Sequence, residues 1–292
     1  MAGKVNIRYG TSLMPFFSEN LLLIVPRSED FADSSVFPPS RNASPPVNKK
    51  PPYSKKPSIS VILSATEDNS ILYTWQKQRI QEMGLASFRK YMTERMTLGT
   101  SMHSAAQKLL VAVKKQELPA SDKIITYVGL DPKSPASKYV MSIVPIIGEL
   151  KKDDVIAYEK PVTSPKLGFQ GRFDAVFQYR GETCMVDWKT SPAASSFSKQ
   201  GDESMSYQTY SRQVAAYAAA FNNDGNFQAE PMVSRGLLVS AKEDGTPADV
   251  FELDQQNIEK SYDDFKGRLW SFWEKLRTAK PHNGFVDFAY TP

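Results

Sequence analysis

Two aspartates and a lysine stand close together in the middle of the chain, in the stretch GFQGRFDAVFQYRGETCMVDWKTS at residues 168–191. Asp187 and Lys189 are two apart, interleaved with Val186 and Trp188, and Asp174 lies upstream on the far side of Arg180-Gly181-Glu182. Apolar residues alternate with polar or small ones in both arms, the pattern of a β-hairpin. On the second arm, period-two geometry places Cys184, Val186 and Trp188 on one face and Asp187 with Lys189 on the other. On the first arm Phe169, Phe173, Phe177 and Tyr179 share one phase, which leaves Arg172 and Asp174 turned away from that apolar row. Carboxylates from neighbouring strands are what a hard divalent cation needs, and a nearby ammonium can hold a phosphate or an attacking water. The chemistry would be metal-assisted phosphodiester hydrolysis. The Asp-x-Lys tripeptide alone says little, since about one arises by chance in a chain of this length and a surface ion pair is an equally good account.

Other elements must bring partners to this hairpin. Order begins near Ser58. A helix capped by Asp68-Asn69-Ser70 is predicted through Leu72, Trp75, Arg79 and Met83, stopping at Gly84. A second follows from Ser87 to about Met96, and a third from about Leu98 to Lys115 with Gly99, His103, Ala106 and Leu110 in one stripe. On spacing alone, His103 is most simply a packed and hydrogen-bonded histidine. Trp75, Lys77, Arg79, Arg89, Lys90 and Arg95 supply the aromatic and cationic mix that suits single-stranded nucleic acid, although each is individually ordinary on a helix. Residues 117–153 read as a helical insert with a helix through Tyr139, Ile143 and Ile147 and no assigned chemistry. A strand from Val155 to Val162 carries Glu159 in the same phase as Val155 and Ala157, either as a strand-end charge or as a site residue for a second metal or a water. After the hairpin, Pro192–Glu203 is a polar loop. A helix over 204–222 then places Gln213 and Tyr217 four apart on one face, to bind substrate or to tie helix to sheet. Strands at Val233–Ala241 and Ala248–Leu253 and a long amphipathic helix from Gln255 to Thr278 close the domain.

Four features, in order, resemble the PD-(D/E)XK nuclease superfamily in its RecB-like branch: Gly99-Thr100-x-x-His103, Gly171-Arg172-x-Asp174, Val186-Asp187-Trp188-Lys189-Thr190, and Gln213-x-x-x-Tyr217. Within that branch the likeness is to a group of mitochondrial exonucleases and runs from about Pro57 to the C-terminal helix, including Trp75, Gly84, Phe88 and Tyr91. Phe173 stands where the superfamily's name puts proline, a common departure among RecB-like members. The resemblance implies an α/β domain of α+β type, a restriction-endonuclease-like core with a small mixed sheet flanked by helices and an N-terminal helical part. It implies catalytic residues His103, Asp174, Asp187 and Lys189, with Mg²⁺ or Mn²⁺ held by His103, Asp174, Asp187 and the backbone carbonyl of Trp188. Trp75, Arg79, Thr190, Ser191, Gln213 and Tyr217 are candidate substrate contacts. The implied activity is hydrolysis of single-stranded DNA from a free end, in mitochondrial DNA maintenance. Two alternatives stay open, an endonuclease of the same superfamily acting on branched or duplex DNA and a non-catalytic DNA-binding relative.

Composition sets the remaining bounds. The 292 residues are 41% hydrophobic, ample for a core. The net charge of +4 arises within residues 1–58, where eight Lys/Arg face four acids, so the rest of the chain is neutral and a nucleic-acid site in it is a local groove. Pro38-Pro39, Pro45-Pro46, Pro51-Pro52 and the lysine pairs at 49–50 and 55–56 make residues 1–57 a flexible segment ahead of a nuclease domain at 58–292, divided into a helical part (58–150) and a metal-binding core (151–292). The first sixteen residues lack acids and are permissive for a mitochondrial presequence without demanding one, so the mitochondrial address rests on the resemblance. Cys184 is the only cysteine and makes no internal disulfide, which fits a reducing compartment and a buried structural thiol. The longest apolar run is Leu21-Leu22-Leu23-Ile24-Val25, far short of a membrane span. The expectation is a soluble monomer with no small-molecule cofactor and no membrane partner.

Overall fold

The structure is a computed structural model and describes residues 13–15, 56–67, 70–190, 205–278 and 285–287. Its centre is a five-stranded sheet of order β2-β3-β4-β5-β6, formed by Val155–Ser164, Phe169–Tyr179, Glu182–Lys189, Arg235–Ser240 and Asp249–Leu253. Neighbours run antiparallel except β4 and β5, which are parallel. A parallel pair needs a crossover. A helix at Met205–Asn223 lies between these two strands in the chain and packs on the sheet. A separate antiparallel pair joins β1 (Leu13–Pro15) to β7 (Phe285–Asp287).

Helices cover both faces. In chain order they are α1 (Ile59–Thr66), α2 (Ser70–Lys115), α3 (Ile124–Val128), α4 (Pro135–Gly148), α5 (Met205–Asn223) and α6 (Gln255–Thr278). One core joins α1, α5 and α6 to the sheet through Ile59, Val214, Phe221, Phe265 and Leu269. The other joins α2, α3 and α4 to the opposite face through Met102, Leu109, Ile143 and Ile147. The fold is a three-layer α/β/α arrangement with a mixed sheet and an N-terminal helical part, as expected. The predicted insert is thereby a structural layer, and among the described residues no helix is long and apolar enough to cross a membrane.

Local chemistry accounts for the helix ends. Ser58 caps α1 by accepting from the Val61 amide, and Ser134 caps α4 ahead of Pro135. Gly84 breaks α2 with φ +79° and ψ 156°, a conformation costly to any residue with a Cβ. The expected division between Met96 and Leu98 is absent, and the helix runs unbroken through His103 to Lys115. Thr97 does not interrupt it because its hydroxyl donates to the Thr93 carbonyl of the same helix at 2.9 Å.

The β3 pleat also differs from expectation. Phe169 and Phe173 bury on the α5 side, whereas Phe177 and Tyr179 bury on the α2 side, so the four do not share one face. The phase changes at Asp174. Its neighbour across the β2–β3 ladder is Glu159, whose φ of +46° takes it out of extended geometry, and the register shifts again between Val155 and Ala157. An irregular residue of this kind bends and twists a strand locally.

Of the expected flexible segment 1–57 only residues 13–15, 56 and 57 are described, the first as strand β1 and Pro57 accepting from the Gln170 amide at 3.0 Å; Asp68 and Asn69, Ser191 and the loop at Pro192–Glu203 lie outside the described residues.

Candidate active site

The β3–β4 hairpin turns at Arg180-Gly181, and its ladder pairs Tyr179 with Glu182 through to Ala175 with Val186. Beyond that point the two strands part. Asp174 and Trp188 meet instead by side chain, the Trp188 amide donating to Asp174 Oδ2 at 2.9 Å. A backbone group left free by the splay thus fixes one oxygen of the carboxylate. The other, Oδ1, lies 3.2 Å from His103 Nδ1, which reaches it from α2. Carbonyl directions alternate along a strand. Lys189 O accepts from the Ala241 amide at 2.8 Å toward β5, so the Trp188 carbonyl points the other way, into the gap beside Asp174.

Asp187 and Lys189 project to the α5 side, opposite Val186 and Trp188, which are buried against the α2 layer. Lys189 Nζ is 2.5 Å from Asp187 Oδ2. The ion pair is shielded from water, in a carboxylate that is only 3% exposed. Lys189 also donates to Gln213 Oε1 at 3.1 Å, and Gln213 Nε2 donates to Tyr217 Oη at 3.3 Å. Both ends of the glutamine amide therefore find partners inside the protein. Tyr217 in turn packs on the β3 backbone, where Gly171 leaves room for it: a Cβ there would stand 2.4 Å from Tyr217 Cε1.

Three side chains converge on one point at the strand gap. Single ligand atoms of His103, Glu159 and Asp174 lie within 4.8 Å of one another. The left-handed backbone of Glu159 departs from the β2 alternation, and Arg172 holds it by donating to the Glu159 carbonyl at 2.6 Å. Asp187 adjoins this group through its charge on His103 but stands with Lys189.

The protonation balance fits a site short of positive charge. Burial raises Asp187 above the carboxylate range more than the Lys189 ammonium beside it can offset, and Asp174 adds repulsion. Burial lowers Lys189, yet the Asp187 charge outweighs it and the net shift is upward, so the amine stays an ammonium. Glu159 is raised by burial and then by Asp174. Burial lowers His103, but its hydrogen bond to Asp174 and the neighbouring carboxylates win and the net shift is upward. A divalent cation is the partner these groups fit. The carboxylates of Glu159, Asp174 and Asp187 offer hard oxygen ligands, and the His103 imidazole adds a nitrogen.

The remaining candidates are placed as follows. Thr190 is half-buried at the end of β4, and its Oγ1 would be 3.5 Å from a Cβ at Gly99, ordinary contact rather than a forced close approach. Trp75 is half-buried and packs edge-on against Phe88 across the Gly84 break, with ring centroids 6.1 Å apart. Arg79 is exposed and pairs with Glu82 at 2.9 Å. One residue with no assigned part in the sequence reading joins the site: the Tyr210 ring lies under Lys189 Nζ at 4.2 Å. Its position three residues before Gln213, on the same helix face, was the available signal.

The hairpin and the helix-borne imidazole thus bring two aspartates, a glutamate, an ammonium and a histidine together on a mixed sheet between helical layers. The sequence profile of the PD-(D/E)XK nuclease superfamily matches residues 72–283, and the chain belongs to that superfamily. It is homologous to mitochondrial genome maintenance exonuclease 1: 28% identical to the mouse protein over 225 residues, covering 75% of this chain and 60% of that one. The human protein is 29% identical over 207 residues (71% and 54%), and that of Xenopus tropicalis 29% over 203 (68% and 51%). The chain thus spans about half to three-fifths of the length of these relatives.

Proposed function

We propose that this protein is a metal-dependent exonuclease that hydrolyses single-stranded DNA from a free end and serves mitochondrial genome maintenance. The observation that carries the reading is the convergence of His103, Glu159 and Asp174 within 4.8 Å beside the buried Asp187–Lys189 pair. The named relatives, mitochondrial genome maintenance exonucleases, support DNA as the substrate, attack from an end, and the compartment.

His103, Asp174 and Asp187 would hold Mg²⁺ or Mn²⁺, with Glu159 alongside and the Trp188 carbonyl facing the same gap. Such an ion acidifies a bound water and polarises a phosphate. The protein's own groups do the rest. The Trp188 amide fixes the direction of Asp174, which sets the orientation of the His103 ring. Lys189, only 16% exposed and held by Gln213, keeps its charge at the mouth of the site, where it orients the attacking water or neutralises charge on the phosphate oxygens. Trp75 and Arg79, on the segment of α2 ahead of the Gly84 break, would supply a ring and a cation for an incoming strand.

Incubation with Mg²⁺ and linear single-stranded, circular single-stranded and duplex DNA tests the reading. Loss of the linear single strand alone is the expected result. Loss of the circle would make the protein an endonuclease, and loss of nothing would make it a binder. Lys189→Ala should leave the fold and metal binding intact and abolish cleavage; a purified variant that cuts at the parental rate would remove Lys189 from the mechanism.

A further inference from the structure

Lys189 reaches its position through a flexible four-carbon stem, and an ammonium on such a stem is placed only by what surrounds it. Here three directions are filled. Asp187 Oδ2 stands at 2.5 Å, Gln213 Oε1 at 3.1 Å, and the face of the Tyr210 ring at 4.2 Å from its centroid. Tyr210 is itself half-buried and packs against the core on the α5 side, so its ring is a fixed platform. The three partners differ in kind. Asp187 carries a full negative charge and competes with a phosphate for the ammonium, and a metal ion would compete with the ammonium for Asp187. Gln213 and Tyr210 attract the cation without net charge, through an amide dipole and a ring quadrupole. They continue to hold the amine when Asp187 is drawn to an ion, and they leave its charge available to substrate.

Building on the nuclease reading, we propose that Tyr210 is a positioning residue for phosphodiester cleavage: its ring face, with the Gln213 amide, fixes the Lys189 ammonium at the reacting phosphate. The ring is the active part, so phenylalanine serves in its place and an aliphatic residue does not. Loss of a desolvated cation–ring contact corresponds to a rate loss on the order of tenfold.

The test uses the full chain with lysine labelled with ¹³C at Cε. In the wild type and in Tyr210→Phe, the Lys189 Cε protons should be shifted upfield by the ring beneath them. In Tyr210→Leu that displacement should vanish. With linear single-stranded DNA and Mg²⁺, Tyr210→Leu should lose about tenfold in kcat with KM changed by less than about twofold, and Tyr210→Phe should recover the parental kcat. A general packing defect would not be repaired so selectively, and thermal unfolding of both variants checks that they are folded. A wild type that cuts none of the DNA forms would overturn the nuclease reading beneath this proposal. With an active wild type, parental kcat in Tyr210→Leu, or a Tyr210→Phe as slow as Tyr210→Leu, would overturn the role of Tyr210 alone.

Discussion

Gly171→Ala is a small change with a large expected effect, and its size follows from the geometry. A Cβ on residue 171 would stand 2.4 Å from Tyr217 Cε1, 3.0 Å from its Cδ1 and 3.1 Å from Ile59 Cδ1. The methyl end of Ile59 can yield. Tyr217 cannot do so cheaply, because it is 7% exposed and its hydroxyl accepts from Gln213, whose other end receives Lys189. Overpacking of this kind costs about 1–3 kcal/mol. In a domain of this size that lowers Tm by roughly 2–4 °C for each kcal/mol. Moving the ring also loosens Gln213, so cleavage should slow at temperatures where the variant is fully folded. Urea unfolding of wild type, Gly171→Ala, Tyr217→Ala and the double variant separates the clash from other costs. In the Tyr217→Ala background the Gly171→Ala penalty should fall below about 0.5 kcal/mol. A Gly171→Ala protein as stable and as active as the parent, or a penalty that persists without the tyrosine, would refute the reasoning.

Further outcomes follow from the same coordinates. Glu159 has its carboxyl raised by burial and by Asp174, so the folded state favours its proton; the stability linked to that proton is present at low pH and lost as pH rises through the folded value. Metal-free Glu159→Gln should therefore melt above the parent at neutral pH, with the difference closing as the solution is acidified below the ordinary carboxylate range, and an unchanged or inverted difference would contradict the assignment. Cys184 is buried, with burial pushing its thiol up to about 12, so it should ignore a disulfide reagent at pH 8 until the chain is unfolded in urea; rapid native labelling would contradict that burial.

Much of the site was legible because strand alternation is a strict code over short distances. Val186, Asp187, Trp188 and Lys189 fall on the faces that period two assigns, and the turn lies at Arg180-Gly181. The code failed where the backbone leaves the pleat. Phe169 and Phe173 separate from Phe177 and Tyr179 because the phase changes at Asp174, opposite Glu159, and a left-handed φ at a glutamate has no signature in composition or spacing. Glu159 came to the His103–Asp174 pair through that irregularity rather than through alternation. The unbroken helix through Thr97 shows a related limit, since a residue that often marks a boundary is neutral once its hydroxyl bonds back to the preceding turn. Tyr210 lies between these cases: i, i+3 spacing puts it on the face of Gln213, but only the packing of α5 on the strand sets its ring under Lys189.

Binding of Mn²⁺, followed by calorimetry on the wild type and on Asp174→Asn, tests the central claim most directly, because Asp174 meets His103 and the Trp188 amide where the proposed ion would sit. Saturable binding by the wild type, weakened on the order of tenfold or more in the variant with its unfolding transition intact, is the predicted result. Equal affinity in both proteins, or no binding by the wild type, would contradict it.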